Sequence, residues 1–462
     1  MKHKRKAAMH WLSPAAVVAV ALGTAGTLAA QSAVGASGWS NPLQKRYING
    51  GTLDVCDQGA FFVGGVPKVT PYASSATIVG QPQQITIGQA YVQFEIPKKR
   101  RQWPLVMVHG STHTGAALDA TPDGREGWLP YAVSNNLATF VMDQPGRGRS
   151  GFDQSVLHEA RITGNLSLIP TIGRITDDGS WVSWFGHLIN GANILTGTLI
   201  RHGDPGDPQP PEDPNNPSEA HGNYPPAFPI PPIPNSIDPK IQARMGALGP
   251  PPNPANNTYL ALNYYKQLVP NGEATLPSSI CPTCVPQTVG PADTWSPRAL
   301  AELVEGLGGA IVSPHSQSTS QVMHMVRILK EHGKLDLLKG IIIPEGAGTS
   351  LTAAGLVGSD FDHIPFLLVN GDYRPLATRI GNRAAVAAMN ASPTRDVAHV
   401  GKALVLDIED PMFGGRLNGQ THMNMLGTTN IALFDFFLQW ADKYIKNPFV
   451  GGSCRGKGDR DD

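Results

Sequence analysis

An excess of either charge is what this 462-residue sequence lacks: Lys plus Arg equals Asp plus Glu at 36 each. No overall basic field exists to draw in nucleic acid or anionic lipid, so nucleic-acid binding is set aside. Cysteine is scarce, with four residues in all. No second Cys or His pair stands at ligand spacing near Cys281 and Cys284, which argues against a zinc site. The Gly-rich turn Asp143 to Ser150 lacks the Lys-Ser/Thr ending of a P-loop, so phosphate binding has little support. Beyond residue 30 no segment has the unbroken apolar length of a membrane-spanning helix.

What is present begins with a basic Met-Lys-His-Lys-Arg-Lys start and an uncharged, Ala- and Val-rich stretch to Ala30. This is the three-part pattern of a secretory signal peptide, with small-residue cleavage sites up to Ala36 and a membrane anchor as the rival reading. The expectation is a signal peptide over 1–36 and a secreted protein, extracellular or periplasmic, with no membrane association after its removal. In an exported chain four cysteines point to two disulfides. Cys281 with Cys284 and Cys56 with Cys454 are the favoured pairs, and the Cys-Pro-Thr-Cys spacing leaves a thiol oxidoreductase as a rival. Sequons stand at Asn165, Asn256 and Asn390 and matter only in a host that glycosylates secreted proteins.

Short apolar blocks recur at Tyr91 to Ile96, Pro104 to His109, Leu137 to Asp143, Gly309 to Ser313, Gly340 to Pro344, Pro365 to Val369 and Ala403 to Ile408. The later ones show no alternation, as expected of strands covered on both faces. Helical periodicity lies between several of them, as at Gln317 to Glu331, where Val322, Met323, Val326 and Leu329 share a face. Strands alternating with helices predict an α/β fold with a mostly parallel sheet flanked by helices. The rhythm breaks at 151–297, where Asp204 to Pro254 is dense in Pro and Asn and unfit for a long helix or central strand. The chain therefore divides into a core over 37–150 and 298–450, a Pro-rich lid-like insertion over 151–297, and a polar tail over 451–462. Trp181, Trp184, Phe185, Tyr259, Tyr264 and Tyr265 in the insertion are candidate liners of an apolar site, or ordinary core.

The segment from Gly309 to Ser318 is an apolar strand running into Pro314-His315-Ser316-Gln317-Ser318 and then a helix. A nucleophilic serine on a strained strand-to-helix turn needs small residues two positions before and after it. Ser318 meets the second need and Pro314 departs from the first, so Ser316 leads and Ser318 is the alternative. His422 follows the last strand and precedes a final amphipathic helix (Ile431 to Tyr444), where a general base can reach the serine. His363 and His399 each precede a strand and should open at the opposite edge of the sheet. Two carboxylates follow strands on the correct edge: Glu345 and Asp372, and from position alone Asp372 leads. The order nucleophile, acid, histidine is the one this arrangement requires.

These segments, with Leu105 to Ser111 ending in His-Gly, resemble a small group of bacterial α/β-hydrolase esterases. In that group the elbow reads His-Ser-Gln-Ser and the acid is a Glu after the strand that follows the nucleophile helix. The matching stretches are Pro104 to Ser150, Gly309 to Ser318, Gly340 to Gly346 and Asn418 to Asn424. The resemblance implies an α/β-hydrolase fold, Glu345 as the acid, and an oxyanion hole made by the backbone N–H groups of Ser111 and Gln317. Pro314, and Thr319 where the group has Gly, are its departures. The chemistry expected is hydrolysis of a small-molecule carboxylic ester through an acyl-enzyme, needing no metal or organic cofactor. An amidase, peptidase or lactonase with the same triad, or an inactive binding scaffold, stands as the alternative. Oligomeric state is not readable.

Overall fold

The structure, a computed structural model, describes residues 53–73, 81–121, 125–166, 295–371, 376–408 and most of 410–450, with scattered positions in 169–200 and 264–272. The expected signal peptide, most of the insertion and the polar tail lie outside these residues, as do Cys281, Cys284 and Cys454. Among the described residues no helix is long and apolar enough to cross a membrane.

Eight strands form one sheet: β1 (Val55–Thr70), β2 (Gln83–Pro97), β3 (Leu105–Val108), β4 (Thr139–Asp143), β5 (Ala310–Pro314), β6 (Leu338–Pro344), β7 (Phe366–Asn370) and β8 (Leu404–Asp407). Their spatial order is β1-β2-β4-β3-β5-β6-β7-β8. β1 and β2 form an antiparallel hairpin, β2 meets β4 antiparallel, and every pairing from β4 to β8 is parallel. The sheet is thus mixed at one edge and parallel elsewhere, in agreement with the sequence reading.

Period-two alternation divides each short apolar strand between two cores. From β3, Leu105 and Met107 join one core with Trp128, Phe434, Phe437 and Trp440, which come from helices α2 (Trp128–Ser134) and α8 (Asn430–Tyr444). Val106 and Val108 join the other. There they meet α4 (Trp295–Gly306), α5 (Ser318–Glu331) and α6 (Leu376–Asn390) through Leu300, Val322, Val326 and Met389. Because both faces are covered, the parallel strands carry no polar alternation. The remaining described helices are α1 (Ala116–Asp119), α3 (Ser155–Thr163) and α7 (Val397–Val400).

The sheet's apolar layers leave its polar loops at the C-terminal ends of β3 to β7, where ligands of open α/β sheets bind. Cys56 in β1 is disulfide-bonded. The Asn390 side chain is tied to the main chain of Ala403 on both its amide atoms, at 2.9 Å each.

Candidate active site

Four non-glycine residues among those described have positive φ, and three of them mark the C-terminal edge: Thr112 after β3, Ser316 after β5 and Glu345 after β6. Such conformations cost on the order of 1–3 kcal/mol each and persist only where surrounding structure enforces them. Here the enforcement is visible in the main chain. Ser316 N–H donates to the Glu345 carbonyl at 3.0 Å, and Glu345 N–H donates to the Val369 carbonyl at 2.8 Å. The two strained residues are therefore laced to one another and to β7.

β5 carries Ser316 out of the sheet and α5 starts two residues later, so its hydroxyl stands at the turn between them. Close approach is possible because Gly110 has no side chain: a Cβ there would lie 2.7 Å from His315 Nδ1 and 3.0 Å from Ser316 Cβ. Pro314 closes β5 opposite Val108, and the His315 N–H donates to the Val108 carbonyl at 2.9 Å. Thr319 is fully buried at the first turn of α5. Ser318 is buried with its hydroxyl directed to the Val108 and His315 carbonyls, at 3.1 and 2.8 Å, so it faces the protein rather than the cleft.

The structure brings Ser316, His422 and Glu345 together. His422 Nε2 lies 2.8 Å from Ser316 Oγ, and Nδ1 lies 2.8 Å from Glu345 Oε2. The other carboxylate oxygen, Oε1, accepts the Gly371 N–H. Any side chain at 371 would displace it, since a Cβ there would clash with Oε1. All three residues are buried. With Nδ1–H donated to Glu345, Nε2 is left as the acceptor for the Ser316 hydroxyl proton. Asp372, the position-based alternative acid, lies outside the described residues. His363 and His399 lie at the opposite edge, lining a groove with Pro365, Ile445 and Lys446.

Around this chain stand contacts the sequence did not disclose. His315 Nε2–H donates to the His422 carbonyl at 2.7 Å, with the two rings 5.0 Å apart. The His422 N–H donates to the Trp184 carbonyl at 3.1 Å, and the Trp184 ring lies 6.1 Å from that of His422. His113 packs between Trp184 and Tyr264 and bonds the Tyr264 hydroxyl at 3.1 Å. Burial, together with the neighbouring imidazoles of His315, His109 and His422, holds His113 well below the usual histidine range. Two aromatics of the 151–297 segment, Trp184 and Tyr264, thus reach the site; Trp181, Phe185, Tyr259 and Tyr265 lie outside the described residues. The only prior signal for them was their composition.

Two main-chain donors complete the geometry. Among the described residues, neither the Ser111 N–H, in the loop after β3, nor the Gln317 N–H, just after Ser316, has an acceptor within the protein. Among the described residues no cluster of three or more His, Cys, Asp or Glu is placed to hold a metal ion.

Comparison with known proteins agrees at the level of fold. No family model matches the chain. A bacterial esterase solved at atomic resolution aligns over 85% of this chain and 98% of its own, with a TM-score of 0.60 and 21% identity. Brefeldin A esterase, a bacterial homologue of human hormone-sensitive lipase, covers 90% of this chain and 84% of its own at 10% identity, with a TM-score of 0.31 that is too low to bear on the fold. "Probable secreted lipase phiG" of Fungal sp. (strain ATCC 74256) is 33% identical over 72 residues, 15% of this chain and 19% of that protein. The chain thus spans about a fifth of the length of the curated relative it matches. The fold is that of the α/β-hydrolases.

Proposed function

We propose that the protein is a serine hydrolase that cleaves small-molecule carboxylic esters. The observation that carries this reading is the buried relay from Ser316 through His422 to Glu345, with both links at 2.8 Å and the serine on a positive-φ turn. In the first half-reaction Ser316 Oγ bonds to the ester carbonyl carbon while its proton passes to His422 Nε2. The carbonyl π pair moves onto oxygen, facing the N–H groups of Ser111 and Gln317. The pair then returns, the C–O bond to the alcohol breaks, and His422 gives the alcohol its proton. Water repeats the sequence on the acyl-enzyme and releases the acid. Glu345 accepts from Nδ1–H throughout and stabilises the imidazolium.

Export fits the chemistry and a curated relative whose name describes a probable secreted lipase. The pairing of Cys56 with Cys454 is supported by register. β1 begins opposite Pro97, and Phe449–Val450 pairs with Arg100–Arg101, so the chain leaves Val450 beside the end of the sheet that holds Cys56. Cys281 with Cys284 would form the second bridge.

The test is hydrolysis of short- and medium-chain p-nitrophenyl esters by the mature protein beside Ser316→Ala, with an organophosphate probe located by mass spectrometry. Turnover by the wild type, background rates in the variant and label on Ser316 are the expected outcome. An inactive wild type with every serine unlabelled would sink the reading.

A further inference from the structure

The Asp143 to Ser150 turn has no part in the relay, yet one of its side chains joins both halves of the site. Arg147 is buried, with 1% of its surface exposed. One terminal nitrogen donates to the Gly110 carbonyl at 3.1 Å and the other to the Gln317 side-chain oxygen at 2.9 Å. Gly110 immediately precedes Ser111, and Gln317 immediately follows Ser316. A single planar, forked cation therefore joins the two segments whose N–H groups the proposed reaction assigns to the oxyanion.

The direction of those N–H groups follows from peptide geometry. The Gly110–Ser111 peptide is trans, since no cis bonds occur among the described residues, so its C=O and N–H point to opposite sides of one rigid plane. The carbonyl is pinned twice. Arg147 holds it from one direction. His109 Nδ1 lies 2.8 Å from the same oxygen and must carry the proton, because His109 Nε2 accepts the Gln144 N–H at 3.0 Å. With the oxygen fixed toward Arg147 and His109, the Ser111 N–H is fixed away from them.

The turn is itself immobilised. Asp143 accepts the Gly115 N–H at 2.7 Å and the Arg149 N–H and side chain at 3.1 and 2.8 Å. Gly148 has φ +49, and a Cβ there would sit 2.5 Å from Thr114. Gly272 N–H, from the insertion, caps the Gly146 carbonyl at 2.7 Å.

We propose that Arg147 is a positioning residue of the oxyanion hole: by clamping the Gly110 carbonyl and the Gln317 amide it sets the convergence of the Ser111 and Gln317 N–H groups. The inference rests on the esterase reading above. A lysine cannot span both acceptors as the guanidinium fork does, so Arg147→Lys should retain one contact and Arg147→Met neither.

The experiment measures kcat and KM on a p-nitrophenyl ester, together with inhibition by a trifluoromethyl ketone, which forms a tetrahedral oxyanion on the serine. Loss of an oxyanion donor costs about a hundredfold or more in kcat. The expected result is a kcat loss of about a hundredfold for Arg147→Met, less for Arg147→Lys, KM within about threefold, and ketone affinity falling in step with kcat. Unchanged kcat and ketone affinity in folded variants, or a loss confined to KM, overturns the proposal. Should both variants fail to fold, Gln317→Met removes one arm of the clamp and gives the same readout. Unchanged kcat and ketone affinity there also overturn it. A wild type without esterase activity defeats the esterase reading itself, whereas an active wild type with unaffected variants defeats only the clamp.

Discussion

Two histidine–carboxylate pairs stand at opposite edges of the sheet with the same Nδ1 to oxygen separation. His422 and Glu345 at the C-terminal edge are 2.8 Å apart, and so are His399 and Asp396 at the N-terminal edge. Their surroundings differ entirely: side-chain exposure is 4% and 1% in the first pair, 82% and 28% in the second. Distance alone thus does not distinguish the two pairs. In the buried pair the side chains are withdrawn from solvent, each carboxylate oxygen has a donor, and the other ring nitrogen faces Ser316. In the exposed pair Asp396 is occupied as the N-cap of α7, accepting the His399 N–H, and solvent competes for the ring.

The largest break in this comparison is Glu345→Gln. The Gly371 N–H would still claim the amide oxygen, which turns the amide NH2 toward His422 Nδ1. That nitrogen must then accept, the proton moves to Nε2, and the Ser316 hydroxyl loses its base. The analogous acid-to-amide change in a serine protease triad costs about 10⁴ in kcat through the wrong tautomer. A kcat loss of about 10³ to 10⁴ with KM little changed is expected here, measured beside Asp372→Asn. Should Asp372→Asn take the larger loss, the acid assignment moves to Asp372.

The second effect concerns stability. His109 and His113 are buried at the C-terminal edge, and burial is the leading cause that lowers both, His109 to about 4. Between the ordinary histidine value near 6.5 and about 4 the unfolded chain binds more protons than the folded one, so stability rises with pH across that window. The contribution is fully present above about 6.5 and is lost as pH falls through about 4. For His109 the span corresponds to about 3 kcal/mol. Urea unfolding at pH 7.5 and pH 5 should show a marked loss in the wild type and a shallower one in His109→Gln. Parallel profiles would exclude His109 as a source of the pH dependence.

Much of this architecture was legible because burial leaves a signature in composition. Strands β3 to β8 are covered on both faces, so each is a short apolar block and each was found within a few residues of its bounds. β1 was missed. It holds Gly59, Gly64, Gly65 and Pro67 and exposes about half its residues, and pairing with β2 along nearly its whole length supplies what its own sequence does not. An edge strand tolerates Pro and Gly in this way. At the site, chain position pointed to Ser316 and His422 but put Asp372 before Glu345, which only the resemblance named; the structure brings Ser316, His422 and Glu345 together. The contacts of His315 with the His422 carbonyl and of Trp184 with the His422 N–H were not readable, although Trp184 stood among the candidate liners, because no local pattern encodes a partner about a hundred or more residues away. Arg147 lies between these cases: its turn was recognised, but only as a Gly-rich turn with little support for phosphate binding.

The smallest expected effect sharpens the comparison from the other side. His399→Ala removes the ring of the exposed pair and leaves α7 with its Asp396 cap, whose acceptor role uses the main chain of residue 399 and survives the change. The groove it lines, with His363, Pro365 and Lys446, opens at the edge of the sheet away from Ser316. No described hydrogen bond links that groove to the elbow. Exposed ion pairs contribute little because water screens them and both side chains must be ordered. kcat/KM within about twofold of wild type and a nearly unchanged melting temperature are therefore expected. A tenfold loss of kcat/KM with the fold intact would mean that the two edges communicate through the sheet. The comparison would then have to be redrawn as one coupled system rather than two pairs separated by burial.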